Sequence, residues 1–98
     1  MEITNVRIIK EAKAETSVAR YTLEYIVTNG LLERIVANVN KLMQDEDGNE
    51  LYIGNITSEN GTINCSLPAS EQMALYFEDF EGFISIINAD VAKLNKEK

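Results

Sequence analysis

The chain has 98 residues, 45% hydrophobic and 26% charged, with a formal net charge of −7 and no histidine. This composition fits one globular domain with a single core and excludes a disordered chain, while the missing histidine removes the side chain best suited to proton transfer near neutral pH. Residues 42–92 contain no lysine or arginine but ten acids, Asp45, Glu46, Asp47, Glu50, Glu59, Glu71, Glu78, Asp79, Glu81 and Asp90, a one-signed field that repels nucleic acid and anionic membrane.

Residues 3–9 predict a first strand, and the polar stretch 10–17 reads as a loop or a short helical turn. Two Asn-Gly pairs then mark hairpins, each lying between β-rich runs. In the first, a three-residue loop Thr28-Asn29-Gly30 sets Val27 opposite Leu31, Leu23 opposite Ile35 and Tyr21 opposite Ala37. On the other side Glu24 pairs with Arg34 and Thr22 with Val36, and Ile26 meets Leu32 near the tip. In the second, a two-residue Asn60-Gly61 turn sets Ile56 opposite Cys65. It collects Tyr52, Ile56, Ile63 and Leu67 on one face and leaves Thr57, Thr62, Asn64 and Ser66 to water. The run Asp45-Glu46-Asp47-Gly48-Asn49 is turn chemistry joining the two hairpins.

After Pro68 the period changes. Met73, Phe77, Phe80, Ile84, Ile87, Val91 and Leu94 follow a 4-3 spacing, which predicts a helix over 70–95. Acids crowd its first half, and Lys93, Lys96 and Lys98 close it, matching the helix dipole. Such a helix is about 39 Å long, against ~20–27 Å for strands of six to eight residues. It therefore overhangs the sheet, bends at Gly82, or meets another chain. The seam reads as core against the sheet, with a coiled-coil-like dimer contact as the alternative.

The chemistry-bearing residues form no catalytic set. Asp45, Asp47 and Asn49 alternate as at the start of a calcium loop, but Gly48 precedes Asn49 and Ile56 stands where the closing glutamate belongs. Cys65 is the only cysteine, so no intrachain disulfide forms, and its inward register reads as a small buried hydrophobe. Glu71, Glu78, Asp79 and Glu81 lack a histidine or second cysteine to join them in a metal site. There is no phosphate-cradling glycine loop and no Ser/His/Asp set. The reading is a non-enzyme without cofactor or metal, and cytoplasmic. It has no signal-like start and no apolar run of the ~18–20 residues a membrane span needs.

The order strand, hairpin, hairpin, helix, the opening Met1-Glu2-Ile3-Thr4-Asn5-Val6-Arg7, the stretch 19–24 and Leu51-Tyr52-Ile53 together resemble the bacterial septation regulator SpoVG family. The resemblance implies a small dimeric nucleic-acid-binding regulator joined through its sheet. The family's basic segment around the second hairpin and helix start is acidic or neutral in this chain.

These readings converge on an α+β domain, an antiparallel meander of about five strands with one long amphipathic C-terminal helix on one face. The leading functional expectation is a small acidic protein-binding module, in its sharpest form a phage- or mobile-element-encoded inhibitor. It would offer Asp45, Glu46, Asp47, Glu50, Glu71, Glu78, Asp79 and Glu81 to a partner's basic, nucleic-acid-binding surface. The alternatives are a SpoVG-like regulator binding nucleic acid through residues 1–41, and a self-assembling accessory protein, a homodimer joined through Ile26 and Leu32 or through the overhanging helix.

Overall fold

The structure is a computed structural model that describes residues 1–96. Lys98, assigned above to the basic end of the helix, lies outside them. Five antiparallel strands form one sheet in sequence order: β1 (Arg7–Glu15), β2 (Arg20–Thr28), β3 (Leu31–Gln44), β4 (Glu50–Glu59) and β5 (Thr62–Ser66). The helix α1 (Met73–Lys96) covers one face, so the fold is the expected α+β meander.

Period-two alternation builds the core. Tyr21, Leu23, Tyr25 and Val27 of β2, Ile35, Ala37 and Val39 of β3, and Ile56 of β4 are buried under Tyr76, Phe80, Phe83, Ile87 and Val91 of α1. The Tyr21 and Phe83 rings meet edge to face, with centroids 4.8 Å apart. The buried helix residues are spaced 4, 3, 4, 4, close to the period of a straight helix. Tyr76 and Phe83 thus replace part of the expected heptad seam. Phe77, Ile84 and Leu94 are half-buried, and Met73 is exposed. A broad sheet accepts a wider, straighter stripe than a partner helix does.

The helix lies along β2 and β3. Asp79 near its start accepts a hydrogen bond from Tyr21, and Asn95 near its end donates to the Gly30 carbonyl at 3.0 Å. Its 24 residues give about 36 Å, while β2 alone has nine residues and β3 fourteen. The strands are longer than expected, so the helix lies within the length of β3 and leaves residues 41–44 uncovered, its last turn meeting the first hairpin's turn.

Several local expectations are corrected. Residues 10–15 continue β1 rather than forming a loop, pairing Lys10 with Tyr25 through Glu15 with Arg20. The alternation is masked in the sequence because Lys10 and two alanines hold the inward positions. The first hairpin turns on two residues, Asn29 and Gly30 (φ 53° and 82°), with Thr28 opposite Leu31. The bulge moves into β3 at Glu33, between the pairs Val27–Leu32 and Ile26–Arg34. The odd-numbered core residues keep their side, but Leu31 is exposed and Leu32 packs toward the helix. Ile26 faces the open side opposite Arg34, so Ile26 and Leu32 form no common patch.

The second hairpin has the expected turn and the expected Ile56–Cys65 pair. Yet β5 is exposed throughout, Cys65 and Ile63 included, because it is the outer strand and α1 does not reach it. A bulge at Ile53 sends Tyr52 to the open side opposite Asn40. That bulge uses Gly54, whose φ is 152° and whose absent Cβ would overlap the Ser66 carbonyl oxygen.

Candidate functional site

The strands differ in length, and the difference shapes the surface. β2 begins at Arg20, opposite Asn40, and β5 ends at Ser66, opposite Asn55. Residues 41–44 of β3 and 50–52 of β4 therefore have no further strand beside them and project as a two-stranded ribbon. The molecule is correspondingly long, 54 × 27 × 21 Å. The turn at the ribbon's tip is built by Asp45. Its Oδ1 accepts from the amides of Asp47 (2.9 Å) and Asn49 (2.8 Å), while its carbonyl accepts from Gly48. Glu46 and Asp47 are exposed at this tip.

The helix acids divide into two kinds. Asp79 Oδ2 accepts from both Thr16 Oγ1 and the Tyr21 hydroxyl, each at 2.6 Å, tying α1 to the β1–β2 connection. Glu71 accepts from the Tyr76 hydroxyl at 2.9 Å and faces Lys41 Nζ at 3.6 Å, which sets the helix start beside the ribbon's base. Both carboxylates are engaged within the fold. Glu78 and Glu81 are exposed, with no hydrogen bond or ion pair of their side chains among the described residues. The base of the ribbon also carries Glu50, bonded by Asn40 at 3.2 Å and 4.0 Å from Arg20. The eight expected contact residues thus gather toward one end of the molecule, with Asp79 and Glu71 anchoring and the rest at the surface.

A third anchor escaped the sequence reading. Asp90 Oδ2 accepts from the Tyr25 hydroxyl and pairs with Lys10 Nζ at 2.9 Å. These two partners hold the Asp90 carboxyl below its ordinary value, the tyrosine bond being the larger cause. Burial, reinforced by the carboxylate, pushes the Tyr25 phenol up to about 12, and burial with Glu71 does the same for Tyr76. Tyr21 is raised further, again first by burial. The three carboxylates come from α1 or the segment just before it, and each takes a tyrosine hydroxyl. The Tyr21–Asp79 and Tyr25–Asp90 pairs join residues 58 and 65 apart in the chain, so no local signal could have found them, whereas Glu71 and Tyr76 are only five apart.

The basic residues of the first half are largely committed too. Arg7 lies 3.9 Å from Glu33, Lys10 is bound to Asp90, and Arg20 Nε donates to Glu15 at 2.6 Å. Of the six cations of residues 1–41, the stretch expected to serve a nucleic-acid site, Lys13 alone has no ion pair among the described residues. A groove of about 380 Å³ runs between β1 and α1 over Ala12 and Ala14. Partial burial raises the Cys65 thiol above its ordinary value, the opposite of what a nucleophile needs. Among the described residues no group of three or more histidine, cysteine or acidic side chains could hold a metal ion, and no helix is long and apolar enough to cross a membrane.

The class these features define is a single-sheet α+β meander with one covering helix, an open polar sheet face and a projecting acidic ribbon. No protein-family model matches the chain, and no curated protein or solved structure matches it significantly.

Proposed function

We propose that this protein is a non-enzymatic acidic module that binds a basic surface on a partner protein. One observation carries the reading. The acids of residues 45–50, with Glu78 and Glu81, lie toward one end, where Lys41 and Arg20 are already ion-paired and Lys13, beside Arg20 and Glu50, is the one nearby cation without an ion pair among the described residues. An uncompensated field of this kind speeds encounter with a cationic surface and rejects phosphate-bearing ones. A groove that normally holds nucleic acid is the strongest natural target for such a field, which is the form an inhibitor would take.

The test compares two baits in lysate of the source organism, the native protein and an Asp45→Asn, Asp47→Asn, Glu78→Gln, Glu81→Gln variant. None of these side chains takes part in an ion pair or in the helix anchors. Support is a basic protein held by the native bait at low salt, shed at high salt and missed by the variant, because exposed charge pairs are screened. Partners held equally by both baits would overturn the reading.

A further inference from the structure

The acids account for attraction but not for a tight contact, since exposed charges steer encounter more than they hold a complex. The ribbon carries a second feature beside them. Leu42 is 36% exposed, Leu51 37%, Tyr52 59% and Met43 76%. These four apolar side chains lie on residues 41–52, where two strands stand without sheet neighbours or helix cover. A two-stranded ribbon is marginal in water on its own, and a run of exposed apolar side chains marks a contact surface.

From this we infer that the ribbon is the binding arm: it inserts its apolar flanks into a cleft of a partner protein whose rim carries lysine or arginine. The inference rests on the acidic-module reading above and names its contact element. Charge chooses the occupant. Leu42, Met43, Leu51 and Tyr52 directly flank Asp45, Glu46, Asp47 and Glu50, so whatever covers the former also approaches the latter. A second copy laid along the ribbon brings two acidic tips together, and nucleic acid or anionic lipid adds further negative charge. A cationic, partly apolar protein cleft satisfies both features. Aromatic and methionine side chains are those that concentrate binding energy at such centres, which points to Tyr52 and Met43.

The test is an amide NMR titration of the full chain with two synthetic peptides of equal length and charge. One alternates lysine with leucine and the other lysine with serine. The expected result is shifts confined to residues 41–52, with the lysine–leucine peptide bound at least ~10-fold tighter, as the burial of even one of these side chains warrants. A Met43→Ser, Tyr52→Ser variant should lose that advantage while binding the lysine–serine peptide unchanged. Equal affinity for the two peptides would overturn the arm and leave the acidic reading standing. Shifts outside residues 41–52 would overturn the arm, and binding of neither peptide would remove the acidic reading and the arm with it. The peptide comparison needs no variant, so it decides the matter even if the substitutions disturb the ribbon.

Discussion

Replacing Asp79 with alanine should destabilise the fold far more than replacing its neighbour Glu78, although the sequence presents them as equal members of an acidic helix face. Asp79 accepts two short hydrogen bonds, from Thr16 and Tyr21, whereas Glu78 is exposed. Hydrogen bonds to a charged group contribute about 1.5–3 kcal/mol, and an orphaned buried donor costs ~1–3 kcal/mol. Tyr21 is among the largest fully buried side chains, so its hydroxyl is poorly placed to find water instead. Asp79→Ala is therefore expected to cost about 3 kcal/mol, and Glu78→Ala to stay within ~0.5 kcal/mol of the native protein. For a chain of this size 3 kcal/mol lowers Tm by roughly 12–24 °C. Urea unfolding followed by circular dichroism would measure both, and a constant slope would confirm that stability alone has changed. A double-mutant cycle with Tyr21→Phe isolates the pair and should return a coupling of about 1–2 kcal/mol. Coupling near zero, or equal costs for Asp79→Ala and Glu78→Ala, would refute the claim that this acid anchors the helix.

Two further outcomes follow from the same packing. Asp90 has a depressed folded pKa, so its stabilisation is complete above the ordinary carboxylate value of 3.8 and is lost as pH falls through the lower folded value. Tyr25 is raised from 10.0 to about 12, so its contribution is complete below pH 10 and is lost as pH rises toward 12. Tyr25→Phe should flatten both the acid and the alkaline limb of a Tm–pH profile, and unchanged limbs would count against the contact. Gly54→Ala should cost about 1–3 kcal/mol or more and loosen β5 selectively. It forces a side chain into a positive-φ conformation against the Ser66 carbonyl, an effect visible as faster amide exchange in residues 62–66.

Much of the architecture is written locally. The two Asn-Gly pairs specify tight turns because asparagine and glycine tolerate the positive φ that a two-residue hairpin needs, and both turns form. Alternation in 21–27 and 35–39 fixes the buried face, and the change of period after Pro68 announces the helix. The acidic tip was also legible, since Asp45-Glu46-Asp47-Gly48-Asn49 contains the side chain that closes its own turn.

Tertiary structure decided the rest, wherever a residue's role depends on a partner far along the chain. Lys10 looked like the start of a loop because a charge at an inward position needs a counter-charge, and Asp90 is supplied 80 residues later. Asp79 looked like a free surface acid because the hydroxyls it accepts from lie on other elements, and Glu71 because the ammonium it faces, that of Lys41, lies on β3. Cys65 and Ile63 carry an inward pattern yet remain exposed, since one helix covers only the middle of a five-stranded sheet. Tyr52 changed sides through a bulge that a single glycine makes sterically admissible, a matter of contact with Ser66 rather than of pattern. The sequence by itself determined the order of elements, the places of the turns and the sign of the surface field, because these depend on near neighbours and total charge. Which acids anchor the helix, and how far the ribbon projects beyond its neighbours, depends on where distant strands end, and only the assembled sheet decides that.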